Sequence, residues 1–148
     1  MSTAFLLAQI GAHAAARFAE RLAPLGLVPA HAGILRLVAG RPGISQQELA
    51  SSLGMLPSRL VAYLDELEEK GLVERRDNLE DRRQYALRTT DAGARAMADV
   101  GRVARAHDDA ICAALGAGER AQLGALLARV ADDQGLTPGV HPGFARRR

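Results

Sequence analysis

The fold turns on residues 44–93, ISQQELASSLGMLPSRLVAYLDELEEKGLVERRDNLEDRRQYALRTTDAG. Ser45 and Glu48 stand in S-x-x-E spacing. That spacing lets a serine oxygen accept a free N–H at a helix start while the glutamate reaches back to the serine N–H. Leu49, Ala50 and Leu53 form the inner side of this short helix, and Gly54 supplies a sharp turn. A further helix is predicted from Pro57 to Lys70, with Leu60, Leu64 and Leu67 on one stripe and Gly71 just past its end. LVERR and QYALR then read as two strands around the loop DNLED. Two short helices joined at a glycine and followed by a β-ribbon predict a winged helix–turn–helix.

Outward from this centre the chain reads as helix. Phe5, Ile10, Ala14, Phe18 and Leu22 recur near helical spacing over residues 3–22, and Pro24 and Gly26 end that run. Pro29 suits a first helical turn, and that helix stops around Gly40, Pro42 and Gly43. Thr90 is placed to cap a long helix from Asp91 to about Leu115, with Met97, Val100, Val103, Ala104, His107 and Ile111 on its apolar side. Gly116 and Gly118 break it, and a last helix covers roughly Glu119 to Asp133. The expected fold is mainly α with a small β-ribbon. It is one unit over residues 1–134, with the winged part at about 29–90, followed by a flexible basic tail at 135–148.

Composition narrows the function. The chain has 148 residues, enough for a core of its own. Aromatics are 3% with no Trp, which weakens any mode based on stacking bases. The net charge is +2, but it falls to −1 without Arg146, Arg147 and Arg148, so bulk charge says little and placement of arginines decides. No apolar run reaches membrane-spanning length, the first residues lack a basic leader region, and the lone Cys112 allows no internal disulfide; a cytoplasmic setting is expected. His13, His31, His107 and His141 show no metal-ligand spacing, and no phosphate loop or nucleophile elbow is found. No metal, cofactor or catalytic residue is therefore expected, and the chain is not read as an enzyme.

Residues 25–95 resemble the MarR (multiple antibiotic resistance regulator) family. The motifs that carry the resemblance are LDELEEKGLVERR, then DRR, then T-x-x-G at Thr90 and Gly93. The resemblance implies double-stranded DNA as partner, a pseudo-palindromic operator, and a homodimer built from the helices at about 3–22 and 91–134. It places Ser58 and Arg59 at the start of the recognition helix, with Ala62 and Tyr63 one turn on. It makes Arg82 the wing-tip residue of the minor groove, beside Arg83, and pairs Asp81 with Arg83 to shape the wing. Val61 and Ala62 depart from the family's frequent threonine and arginine, leaving Arg59 as the main reader of guanine. Between residues 56 and 95 acids slightly outnumber bases, so the DNA face must separate its charges by side.

The resemblance also implies a small, often phenolic, effector in a crevice between the dimer helices and the winged part. His13, Arg17 and His31 are the candidate polar groups there. The expected function is a repressor whose DNA affinity such a ligand lowers. Two other readings stay open: a winged-helix module that holds a protein and no DNA, and a repressor that senses oxidation through Cys112.

Overall fold

The computed structural model describes residues 1–144; the last four residues of the expected basic tail lie outside the described residues. The element order is α1 (Thr3–Leu22), a 3-10 turn (Ala23–Leu25), α2 (Pro29–Gly40), α3 (Gln46–Leu53), α4 (Pro57–Glu69), β1 (Val73–Asp77), β2 (Tyr85–Thr89), α5 (Asp91–Ile111) and α6 (Ala117–Asp133), with a second 3-10 turn at Pro142–Phe144. This is the mainly helical, winged architecture read from the sequence.

Each boundary has a local cause. The Ser2 hydroxyl accepts the Phe5 N–H at the start of α1. Ser45 and Glu48 cap α3 reciprocally: Ser45 Oγ accepts from the Glu48 N–H at 3.1 Å, and the Ser45 N–H donates to Glu48 Oε2 at 3.0 Å. Those donors hold the Glu48 carboxyl below its ordinary range, the Ser45 backbone N–H first and its hydroxyl next. Gly54 turns α3 into α4 at φ +62°, a conformation that side-chain-bearing residues avoid.

Leu22, Ile34, Leu35, Leu49, Leu64 and Leu67 are fully buried in one core beneath the winged part. Each such side chain contributes about 1.5–3 kcal/mol. The wing is a two-stranded antiparallel ribbon in register Val73↔Thr89 to Asp77↔Tyr85. The loop before α3 joins it. The Gly43 N–H donates to the Leu87 carbonyl at 2.8 Å, and the Leu87 N–H donates to the Ile44 carbonyl at 2.9 Å. That third rung is absent from the sequence reading because Gly40, Pro42 and Gly43 signal only a break. The pairing comes from β2, more than forty residues away.

Two expectations change. α5 ends at Ile111, and Cys112 caps it instead of lying mid-helix. The good helix formers Ala113 and Ala114 are overruled because α6 folds back: Arg120 pairs with both Asp108 and Asp109, and those carboxylates raise its pKa. Residues 135–144, expected to be a flexible tail, lie against α2, where Arg36 donates to the Gly139 carbonyl and Phe144 packs on the core. His107, read as part of the apolar side of α5, packs on Phe18 with ring centroids 5.3 Å apart. Its Nδ1 is buried without a partner among the described residues, and burial, then Arg21, pushes its pKa below the ordinary histidine value.

The T-x-x-G motif is a welded junction. Thr90 Oγ1 accepts from the Gly93 N–H at 3.0 Å and donates to the Gly71 carbonyl at 2.6 Å. The Thr90 N–H donates to the Leu72 carbonyl at 3.1 Å. A Cβ at Gly93 would collide with that same Leu72 carbonyl oxygen. Alanine in a helix gains about 1 kcal/mol over glycine, but overpacking against backbone costs about 1–3 kcal/mol. Gly93→Ala is therefore expected to lower stability in urea unfolding, and an unchanged or raised midpoint would mean that the end of α4 yields easily.

Candidate nucleic-acid interface

α4 has two chemically different halves. Its first turn begins at Pro57, and no side chain caps it, so its N–H groups and positive dipole end face outward. Ser58, Arg59 and Ala62 are exposed on this half, and no carboxylate occurs in α4 before Asp65. Tyr63 is half-buried, edge-on to the His31 ring at 5.5 Å. The Arg59 guanidinium lies 5.8 Å from the Tyr63 ring centroid, at the outer range of a cation–π contact. Tyr63 thus props Arg59 while being held by the core.

The second half of α4 is acidic, and one residue manages it. Arg75 of β1 donates to Asp65 Oδ1 at 2.8 Å, to Glu68 Oε2 at 2.5 Å and to Gln46 Oε1 at 2.9 Å. Its side chain is only 17% exposed. It ties the wing to both helices of the helix–turn–helix and neutralises two carboxylates next to the recognition face. The sequence reading missed Arg75. The available signal was the period of two: Arg75 shares a strand face with buried Val73, whereas Arg76 points to solvent and pairs with Glu74.

The wing loop is shaped by acceptors. Asn78 Oδ1 accepts from the Glu80 and Asp81 N–H groups. Asp81 Oδ1 accepts from the Arg83 N–H at 3.0 Å and from Arg83 Nε at 3.3 Å, and Asp81 Oδ2 accepts from Gln84 Nε2. Arg83 is 92% exposed even so. Arg82 is exposed between them, and among the described residues neither it nor Arg59 has a carboxylate within ion-pair distance. Arg59 and Arg82 are thus exposed with no acidic partner among the described residues, whereas Asp65 and Glu68, themselves exposed, are each paired with the largely enclosed Arg75.

A second feature is a cleft of about 370 Å³ between α1, α2 and α5, lined by Phe18, Met97, Val100, Arg36, His141 and Phe144 among others. None of His13, Arg17 and His31 lines it. His13 is exposed, and Arg17 is exposed and paired with Glu20 at 2.5 Å. His31 is buried: its Nδ1 accepts the Val28 N–H at 3.1 Å, which leaves Nε2 to donate to Glu66 at 2.6 Å. It is a helix cap and an α2–α4 tie. Helical periodicity cannot separate such a cap from a cleft residue, and the cleft's own polar residues are Arg36 and His141.

Residues 25–84 match the family model described as MarR family. A protein of Thauera aromatica named for transcriptional regulation of the hcr operon is 35% identical over 113 residues, covering 76% of this chain and 68% of that protein. Among solved structures, the transcriptional repressor CouR bound to a 23-mer DNA duplex is 34% identical, with TM-score 0.78, covering 88% of this chain and 92% of that one. A MarR family protein of Mycobacterium tuberculosis in complex with p-aminosalicylic acid is 26% identical, with TM-score 0.72, covering 88% of this chain and 99% of that one.

Arg75→Gln is expected to lower stability by about 1 kcal/mol, the modest value appropriate to partners that are largely exposed. It should also weaken DNA binding by re-exposing Asp65 and Glu68. Unfolding and DNA titrations that both match the unaltered protein would remove Arg75 from this role.

Proposed function

This chain belongs to the MarR family of transcriptional regulators, and from that premise we propose that it works as a homodimeric, sequence-specific DNA-binding repressor whose grip a small phenolic or aromatic ligand loosens. The observation that carries this reading is the outward pairing of α4's uncapped, acid-free first half with the unpaired wing arginine. α4 enters the major groove by its N-terminal half. Ser58 and the free backbone N–H groups meet phosphate, and Arg59 reaches a guanine edge. Ala62 offers a methyl group to a thymine, and Tyr63 positions Arg59. Arg82 enters the adjacent minor groove, where narrow geometry concentrates negative potential. Arg83 stays at the wing, held by Asp81, close enough for phosphate.

The dimer reading rests on what the monomer leaves uncovered. Phe5 and Ile10 on α1 are each 54% exposed, and α6 has no buried residue, with Leu123, Leu126, Leu127 and Val130 all open. A second copy covering these faces places two α4 helices about 34–36 Å apart, one turn of duplex, and makes the operator a pseudo-palindrome. The cleft joins α1 and α5 of this scaffold to α2 of the winged part. A ligand there biases the spacing of the two reading lobes, which couples its binding to DNA release. The cleft lies at the small end of ligand-pocket volumes and suits a single-ring compound.

No step in this reading is catalytic, and its setting is the cytoplasm; no single helix among the described residues is long and apolar enough to cross a membrane. Oxidation sensing through Cys112 is the weaker reading. The Cys112 sulfur is half-buried and 3.9 Å from the Asp108 carboxylate, the opposite of the electropositive setting that reactive thiolates need. The protein-interaction reading rests on exposed Val61 and Ala62, and a salt-dependent DNA titration separates it: a partner-only module shows no salt-sensitive DNA binding.

Arg82→Ala is expected to weaken binding to every duplex and flatten the salt slope by about one unit; an unchanged slope takes the wing out of the contact set. Arg59→Ala is expected to relax preference at one base pair by about 1–3 kcal/mol. Equal losses on operator and random duplex would make Arg59 a phosphate contact.

A further inference from the structure

We infer that His31 is a positioning residue for base recognition: its buried ring holds Tyr63, Tyr63 holds Arg59, and the base preference of α4 is thereby set in part from α2. This rests on α4 being the recognition helix. The N-cap of α2 is Val28, whose side chain has no acceptor. His31, at the third helical position, takes over part of the capping: its Nδ1 accepts the Val28 N–H at 3.1 Å. With Nδ1 engaged as an acceptor, the ring proton resides on Nε2 and donates to Glu66 at 2.6 Å. One ring nitrogen is thus tied to α2 and the other to α4, and the side chain is 4% exposed. Two opposed hydrogen bonds in a packed site leave the ring plane little freedom to turn.

Arg59, Tyr63 and Glu66 fall on one stripe of α4. His31 meets two of the three: Glu66 by the hydrogen bond, and Tyr63 edge to face, with ring centroids 5.5 Å apart and planes at 86°. That geometry is directional, because a positive ring edge meets a negative ring face. Tyr63 also packs against the core, and the Arg59 guanidinium lies over its ring at 5.8 Å from the centroid. A long side chain held over a fixed platform loses less freedom when it forks onto a guanine edge. Such bidentate reading demands orientation, whereas attraction to phosphate does not. Removing the His31 ring therefore reaches discrimination between duplexes and spares non-specific binding.

The test is an anisotropy titration of the full chain on a duplex selected by the unaltered protein from a random pool, and on its copy altered at the base pair where Arg59→Ala loses preference. His31→Gln keeps an acceptor and a donor but removes the ring; His31→Phe keeps a ring and removes both hydrogen bonds. His31→Gln is expected to lower discrimination about two- to fivefold, the scale of an exposed cation–π contact, with the salt slope and the affinity for random duplex unchanged. His31→Phe is expected to unfold at lower urea yet to discriminate better than His31→Gln. Tyr63→Leu, which breaks the chain of contacts from the other side, matches His31→Gln and decides the case if His31→Phe does not fold. In the Arg59→Ala background none of these substitutions lowers discrimination further. Full discrimination in His31→Gln, an equal loss on every duplex, or a further loss in the Arg59→Ala background overturns the inference. A protein that discriminates through Arg59 regardless of His31 loses only this inference, whereas one that binds no duplex loses the regulator reading with it.

Discussion

The arrangement of the candidate DNA-reading face depends on one guanidinium. Arg75 is nearly enclosed, and its donors go to Gln46 on α3 and to Asp65 and Glu68 on α4. A strand, the bracing helix and the recognition helix are therefore fixed to one another at a single point. The same contact solves an electrostatic problem. α4 ends in a run of acids that would repel a duplex, and Arg75 neutralises two of them from behind. The uncapped helix start with Arg59, and Arg82 on the wing, are exposed and without an acidic partner among the described residues.

Around that point the winged part buries most of its own core, with Leu22 of α1 and Val100 of α5 joining it, whereas the outer helices leave much apolar surface open. The junction of Thr90, Gly71, Leu72 and Gly93 closes the end of α4 onto the start of α5 through hydrogen bonds with no room for a side chain. Beyond it, α5 buries only Gly93 and Val100, and α6 buries nothing. Leucine and valine left open along a helix lose the burial that stabilises such an element. The helices that finish the chain thus fit the proposed role as half of a dimer interface.

The cleft proposed as the effector site sits where these two regimes meet. Its walls come from α1, α2 and α5, so whatever fills it touches both the reading lobe and the scaffold. The segment after α6 lies against the same place through Arg36 and Phe144. In the proposed reading, α2, which His31 ties to α4, is the helix through which binding in the cleft reaches the DNA-reading lobe.

Much of this was legible in the linear chain. Ser45 with Glu48, Gly54, Pro57, Gly71 and the Thr90 cap on Gly93 each act within four residues through caps, turns and missing donors, and local chemistry of that kind is visible in a sequence. Leu60, Leu64 and Leu67 announced their inner stripe by period alone, and the motif resemblance placed Arg59, Arg82 and Asp81. Other features needed the folded chain, because they join residues far apart along it. The rung between Gly43 and Leu87, the Arg75 clamp, the enclosed role of His31 and the return of Phe144 onto Gly33 are pairings across long separations. A polar side chain does not reveal from its neighbours whether it will meet solvent, a carboxylate or a backbone N–H. Only packing decides that, by bringing the partner within 3 Å or leaving it out.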